Sequence, residues 1–90
     1  MKVVIDTLGG NCPVQAEGTI DDVPFYFRAR GSHWTMGIGP QPIDAPEWYH
    51  KELWGDDPYG AGAGWMSREE AEHLIRVCAK WYSERAVHND

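Results

Sequence analysis

Histidines and carboxylates spaced for shared ligation are the first chemistry the chain offers. Glu69 and His73 stand four residues apart, one helical turn, and His50 or Glu52 could complete a nitrogen–oxygen set for a divalent ion. The chain has no HExxH, no histidine pair at i and i+4 and no cysteine pair, so a solvated Glu–His pair is the simpler reading. No metal and no cofactor is expected. Cys12 follows Gly9-Gly10-Asn11, a small-residue loop that could expose a thiol to a histidine such as His33. Pro13 points instead to a turn leading into a strand. Gly60-Ala61-Gly62-Ala63-Gly64 precedes a helix, where anions can bind, but it lacks the GxGxxG spacing and the Walker lysine. Glu69 and Glu70 would repel a phosphate there, so close packing or flexibility suits it better. Tyr26, Arg28, Arg30 and His33 make a small basic–aromatic group of the kind that binds single strands. Against it stand Glu17, placed for a cross-strand ion pair with Arg28, and the charge of the whole chain.

That charge is −6 on 90 residues, and it is local. Residues 1–43 are nearly neutral, with Lys2, Arg28 and Arg30 against Asp6, Glu17, Asp21 and Asp22. Residues 73–90 lean positive through Arg76, Lys80 and Arg85. The excess lies in residues 44–72, where Asp44, Glu47, Glu52, Asp56, Asp57, Glu69, Glu70 and Glu72 face only Lys51 and Arg68. The same stretch holds Trp48, Tyr49, Trp54, Tyr59 and Trp65. Aromatic rings supply much of the energy of protein interfaces, and carboxylates steer a basic partner. The competing reading buries Trp48, Trp54 and Trp65 in a core that is otherwise small. An acidic balance also argues against direct binding to nucleic acid, whose affinity rests on Lys and Arg.

The elements that must position these residues follow from periodicity. Residues 14–20, 23–30 and 33–39 alternate apolar and polar, broken by Asp21-Asp22 and Gly31-Ser32. With those pairs as turns, Ile20 faces Val23, Gly18 faces Phe25 and Ala16 faces Phe27. Ala29 then faces Trp34, Phe27 faces Met36 and Phe25 faces Ile38. A slip of one residue would destroy this match of apolar with apolar. Residues 2–8 read as a further strand, β-branched and largely buried, ended by Gly9-Gly10-Asn11. Residues 40–66 carry Pro40, Pro42, Pro46, Pro58, Gly55, Gly60, Gly62 and Gly64, a density that forbids a long helix or a central strand. They are expected as one long loop with a short helical piece near Glu47–Leu53.

Ser67 and Glu70 match a capping box that opens a helix over about 67–86. Its apolar stripe is Ala71, Leu74, Ile75, Cys78, Ala79 and Tyr82. Val77 and Trp81 form a second stripe facing the long loop. The expected fold is α+β in a single domain, 1–90: an antiparallel meander of three to four strands packed by one C-terminal helix. Cys12 and Cys78, without a CxxC, suit a reduced, cytoplasmic protein, with a disulfide between them as the alternative. Lys2 and Asp6 interrupt the apolar start, unlike a secretory leader, and no run is long enough for a membrane span.

In size, in acidity gathered at 44–72 and in the loop Trp48-Tyr49…Trp54-Gly55-Asp56-Asp57-Pro58-Tyr59, the chain resembles small acidic proteins of phages and mobile elements, notably anti-CRISPR inhibitors. The resemblance implies a stoichiometric, non-catalytic inhibitor, monomeric or homodimeric. It would bind a basic protein or nucleoprotein complex such as a CRISPR-Cas effector, and would touch neither nucleic acid nor membrane. Asp44, Glu47, Glu52, Asp56 and Asp57 would mimic phosphates, with Trp48, Trp54 and Tyr59 as anchors. The alternatives are a small enzyme or accessory subunit using Cys12 or a histidine, and a structural homodimer paired through a sheet edge.

Overall fold

Two tight hairpins at the centre of the chain organise everything else. The computed structural model describes residues 1–11, 13–54 and 62–88, the last three as helix backbone alone. Strand β2 (Val14–Ile20) pairs with β3 (Val23–Arg30), and β3 pairs with β4 (His33–Ile38), both antiparallel. The six cross-strand pairs expected from the sequence all form, from Ile20–Val23 to Phe25–Ile38. Their apolar members point to one face and, apart from the half-buried Val23, are buried almost completely. Asp21 and Asp22 turn the first hairpin with φ of 49° and 68°, the left-handed pair that a two-residue I′ turn needs. The Asp21 carboxylate also accepts a hydrogen bond from the Lys2 amide at 2.7 Å, and the Asp21 amide donates to the Lys2 carbonyl at 2.8 Å.

The meander has five strands, in the order β1-β2-β3-β4-β5, rather than three or four. Strand β1 (Val3–Gly9) is an edge with a bulge between Ile5 and Thr7. Its residues alternate between half-buried and exposed instead of lying largely buried, because only one face of an edge strand meets the core. The bulge blunts this edge against pairing with another chain.

The fifth strand, β5 (Trp48–Leu53), lies where a loop with a helical piece was expected. It pairs with β4 from Ile38–Trp48 to His33–Leu53. Pro46 lies just before it, so no ladder bond is lost, and as an edge strand it respects the bar on a central one. The connection from β4 crosses the sheet closely at Gly37, where a Cβ would run into the Pro42 carbonyl and Pro46.

One helix, α1 (Arg68–His88), covers one face of the sheet. The capping box forms: the Glu70 amide donates to Ser67 Oγ at 3.0 Å, and the Ser67 amide donates to Glu70 Oε1 at 2.8 Å. Ala71, Ile75, Cys78 and Ala79 are buried against Phe25, Phe27, Trp34 and Met36, with Leu74 and Tyr82 at the margin. Just before it, a 3-10 turn at Gly62–Trp65 buries Ala63 and Gly64. Among the described residues, no helix is long and apolar enough to cross a membrane.

Candidate functional site

Strand β5 decides where the acidic–aromatic residues go. Its register with β4 puts Trp48, His50 and Glu52 on the helix side and Tyr49, Lys51 and Leu53 on the outer face. On the helix side the rings gather around His50. The imidazole lies 5.3 Å from the Trp34 ring, 6.0 Å from Trp48 and 5.1 Å from Trp81 of α1. Trp48 meets Tyr82 edge-on at 6.4 Å, and the Arg85 guanidinium sits 5.2 Å from the Tyr82 ring centre. His50 Nε2 is 3.2 Å from Glu52 Oε2, which orients both side chains.

The proposed anchors divide between core and surface. Trp48 and Trp54 are half-buried and pack against the core, so they act first as structural rings. The tryptophan rings left open are Trp81, 41% exposed, and Trp65, 66% exposed. Trp65 lies at the far end of the molecule, where it lines a small hollow with Leu8, Asn11 and Arg68. Trp81 stands at the margin between β5 and α1, partly open beside His50. Asp44, Glu47 and Glu52 are all exposed, the first in the β4–β5 connection, the second beside Gly39 and the third on β5. Asp56, Asp57 and Tyr59 lie outside the described residues. On either side of them the chain is tied to the same turn: Trp54 donates its amide to Ser32 at 2.9 Å, and Ala63 donates to Gly31 at 3.0 Å.

The other candidate chemistries take definite places. Among the described residues, no group of three His, Cys, Asp or Glu is gathered closely enough to hold a metal. His50 stands beside Trp81, which is about 12 Å along the helix from His73. Cys78 is a free thiol buried under the sheet, and desolvation, aided by the nearby Glu52 charge, pushes its pKa up to about 12. A thiol buried and held neutral in this way is a poor nucleophile. Cys12 lies outside the described residues. The second half of the Gly60–Gly64 stretch packs into the core instead of opening as a phosphate cradle. Arg28 pairs in register with Gln15, and Glu17 with Tyr26, so the expected Arg28–Glu17 ion pair does not form.

Trp81 faces the 40–66 stretch, as its helical spacing leads one to expect, and meets His50 there. Sequence reasoning missed the inward direction of His50 and the outward direction of Tyr49 and Lys51; the signal for these three was the period of two in residues 48–53, which becomes visible once β5 is paired. No family model, no curated protein and no solved structure matches the chain.

Proposed function

We propose that the chain is a non-catalytic, protein-binding inhibitor. It offers the margin between β5 and α1 to a lysine- and arginine-rich partner surface that otherwise holds nucleic acid, after the manner of anti-CRISPR inhibitors. The observation that carries this reading is the exposed Trp81 ring packed beside the His50–Glu52 pair at 5.1 Å. An indole already packed against a neighbouring ring loses less freedom on binding, and a nearby carboxylate steers a cationic partner. Glu47 and Asp44 are further exposed carboxylates in the stretch that leads into β5. Cys78, sealed in the core, offers no competing nucleophilic chemistry.

The test is partner binding by Glu47→Lys/Glu52→Lys and by Trp81→Ala. The charge-reversed variant should bind at least tenfold more weakly, which corresponds to about 1.4 kcal/mol, and should lose the steep salt dependence of the parent. Unchanged affinity and unchanged salt dependence would overturn the reading.

A further inference from the structure

We propose that the outer face of the sheet binds single-stranded nucleic acid, with Arg28 and Arg30 seating a phosphate and Tyr49 stacking a base. The register gathers this face from three strands. Tyr26, Arg28 and Arg30 come from β3, His33 and Thr35 from β4, and Tyr49 and Lys51 from β5. Arg28 lies opposite Thr35, Thr35 opposite Lys51, and Arg30 opposite His33. A cavity of about 480 Å³ opens among Arg28, Arg30, Gly31, His33, Thr35 and Tyr49. Among the described residues, no carboxylate lines it.

The charge of this face is the reverse of the whole chain's. Among the described residues, ion pairs engage His50, Arg76 and Lys80 as the cations, and no described carboxylate pairs with Arg28, Arg30 or Lys51. Arg28 Nε is buried and makes no hydrogen bond, an unmet donor beside the cavity. Glu17, opposite Tyr26, is the acid that the β2–β3 register places on this face. The helix carboxylates Glu69, Glu70, Glu72 and Glu84 lie across the sheet.

The aromatic residues select the ligand. Tyr49 is 57% exposed at the cavity wall, and Tyr26 continues the face along β3 beyond Arg28. An acidic peptide would satisfy the guanidinium groups and leave the Tyr49 ring idle. A single strand uses it as well, since bases stack on aromatic rings while a basic groove follows the phosphates. The face runs on past the cavity to Lys51, which suits a strand better than a free nucleotide, and it is closed off between Tyr49 and Tyr26, where the β4–β5 connection crosses at Gly37. This site lies on the opposite side of β5 from the Trp81 margin, so either proposal can fail without the other.

The test is fluorescence anisotropy of a labelled oligouridylate of about eight nucleotides at about 50 mM salt, with unlabelled uridine monophosphate and a polyglutamate peptide as competitors. The parent should bind and should weaken as salt rises. Arg30→Gln and Tyr49→Ala, both at exposed positions, should each weaken binding at least fivefold while keeping the parent's melting temperature. Arg28→Gln should do the same, provided its circular dichroism stays native. No binding at about 1 mM protein, or equal binding by Arg30→Gln and Tyr49→Ala, would overturn the proposal, since the non-specific range is about 0.1 mM or tighter. Competition by the monophosphate or by polyglutamate as strong as that by unlabelled oligouridylate would also overturn it.

Discussion

The indole of Trp81 meets the imidazole of His50 edge-on, with ring centres 5.1 Å apart and planes at 61°. This contact joins the last helix to an edge strand that has only one neighbour in the sheet. An edge-to-face aromatic pair contributes roughly 1 kcal/mol beyond the area it buries. Trp81→Ala should therefore lower the unfolding free energy by about 1–2 kcal/mol, less than a fully buried tryptophan would lose, because the ring is partly open. Urea titration of the variant against the parent reads this directly. A change below about 0.5 kcal/mol, the range of an ordinary surface site, would mean that the contact does not hold β5 to the helix.

Gly18 has no room for a methyl group. A Cβ there would strike the Val4 carbonyl and come within 2.8 Å of the Phe25 ring. Gly18→Ala should cost at least the ~1–3 kcal/mol usual for overpacking, and it should act by parting β1 from β2. Amide exchange along Val3–Gly9 should then accelerate before exchange along β3 does. Normal stability in this variant would show that β1 is not packed as described.

The Ser67–Glu70 box supplies two reciprocal hydrogen bonds to the start of α1. Ser67→Ala should cost about 1 kcal/mol, and Ser67→Asp should restore most of it, because aspartate caps as well as serine does. Thermal melts followed at the helix signal would separate cap loss from a general weakening.

The buried thiol makes stability fall at alkaline pH. The folded protein holds Cys78 protonated until about pH 12, whereas the unfolded chain ionises near its ordinary value of 9.0. Between those limits the unfolded state binds fewer protons, so the unfolding free energy declines as pH rises, with a limiting slope of about 1.4 kcal/mol per pH unit. Below about pH 9 this group contributes no pH dependence. Cys78→Ala should flatten that part of the profile even though it creates a cavity. In the native protein, alkylation of Cys78 should proceed only as fast as the chain opens.

How much of this was legible from the sequence differs by element. Strands β2 to β4 could be read down to the residue pair, because each hairpin has a turn dipeptide flanked by strict alternation and only one register satisfies both. The helix was legible from Ser67, Glu70 and the stripe from Ala71 to Tyr82. Strand β5 was hidden because Glu52 stands on its core side, where an apolar residue would have completed the pattern, and because Pro46 and the glycines after Trp54 argued for a loop. That one omission had two consequences. The sequence leaves Trp48 open between anchor and core ring, and pairing with Ile38 turns it toward the helix. The basic face was judged on Tyr26, Arg28, Arg30 and His33 alone, without Tyr49 and Lys51 beside them.

The most direct measurement of the central claim is a quantitative affinity capture from host extract. It would compare the tagged parent with Glu47→Lys/Glu52→Lys/Trp81→Ala, at low salt and again after a salt wash. The account predicts one stoichiometric partner with a basic surface, held by the parent, released by salt, lost from the variant and competed by nucleic acid. A parent that captures no stable partner, or a variant that captures the same partner as tightly, would contradict it.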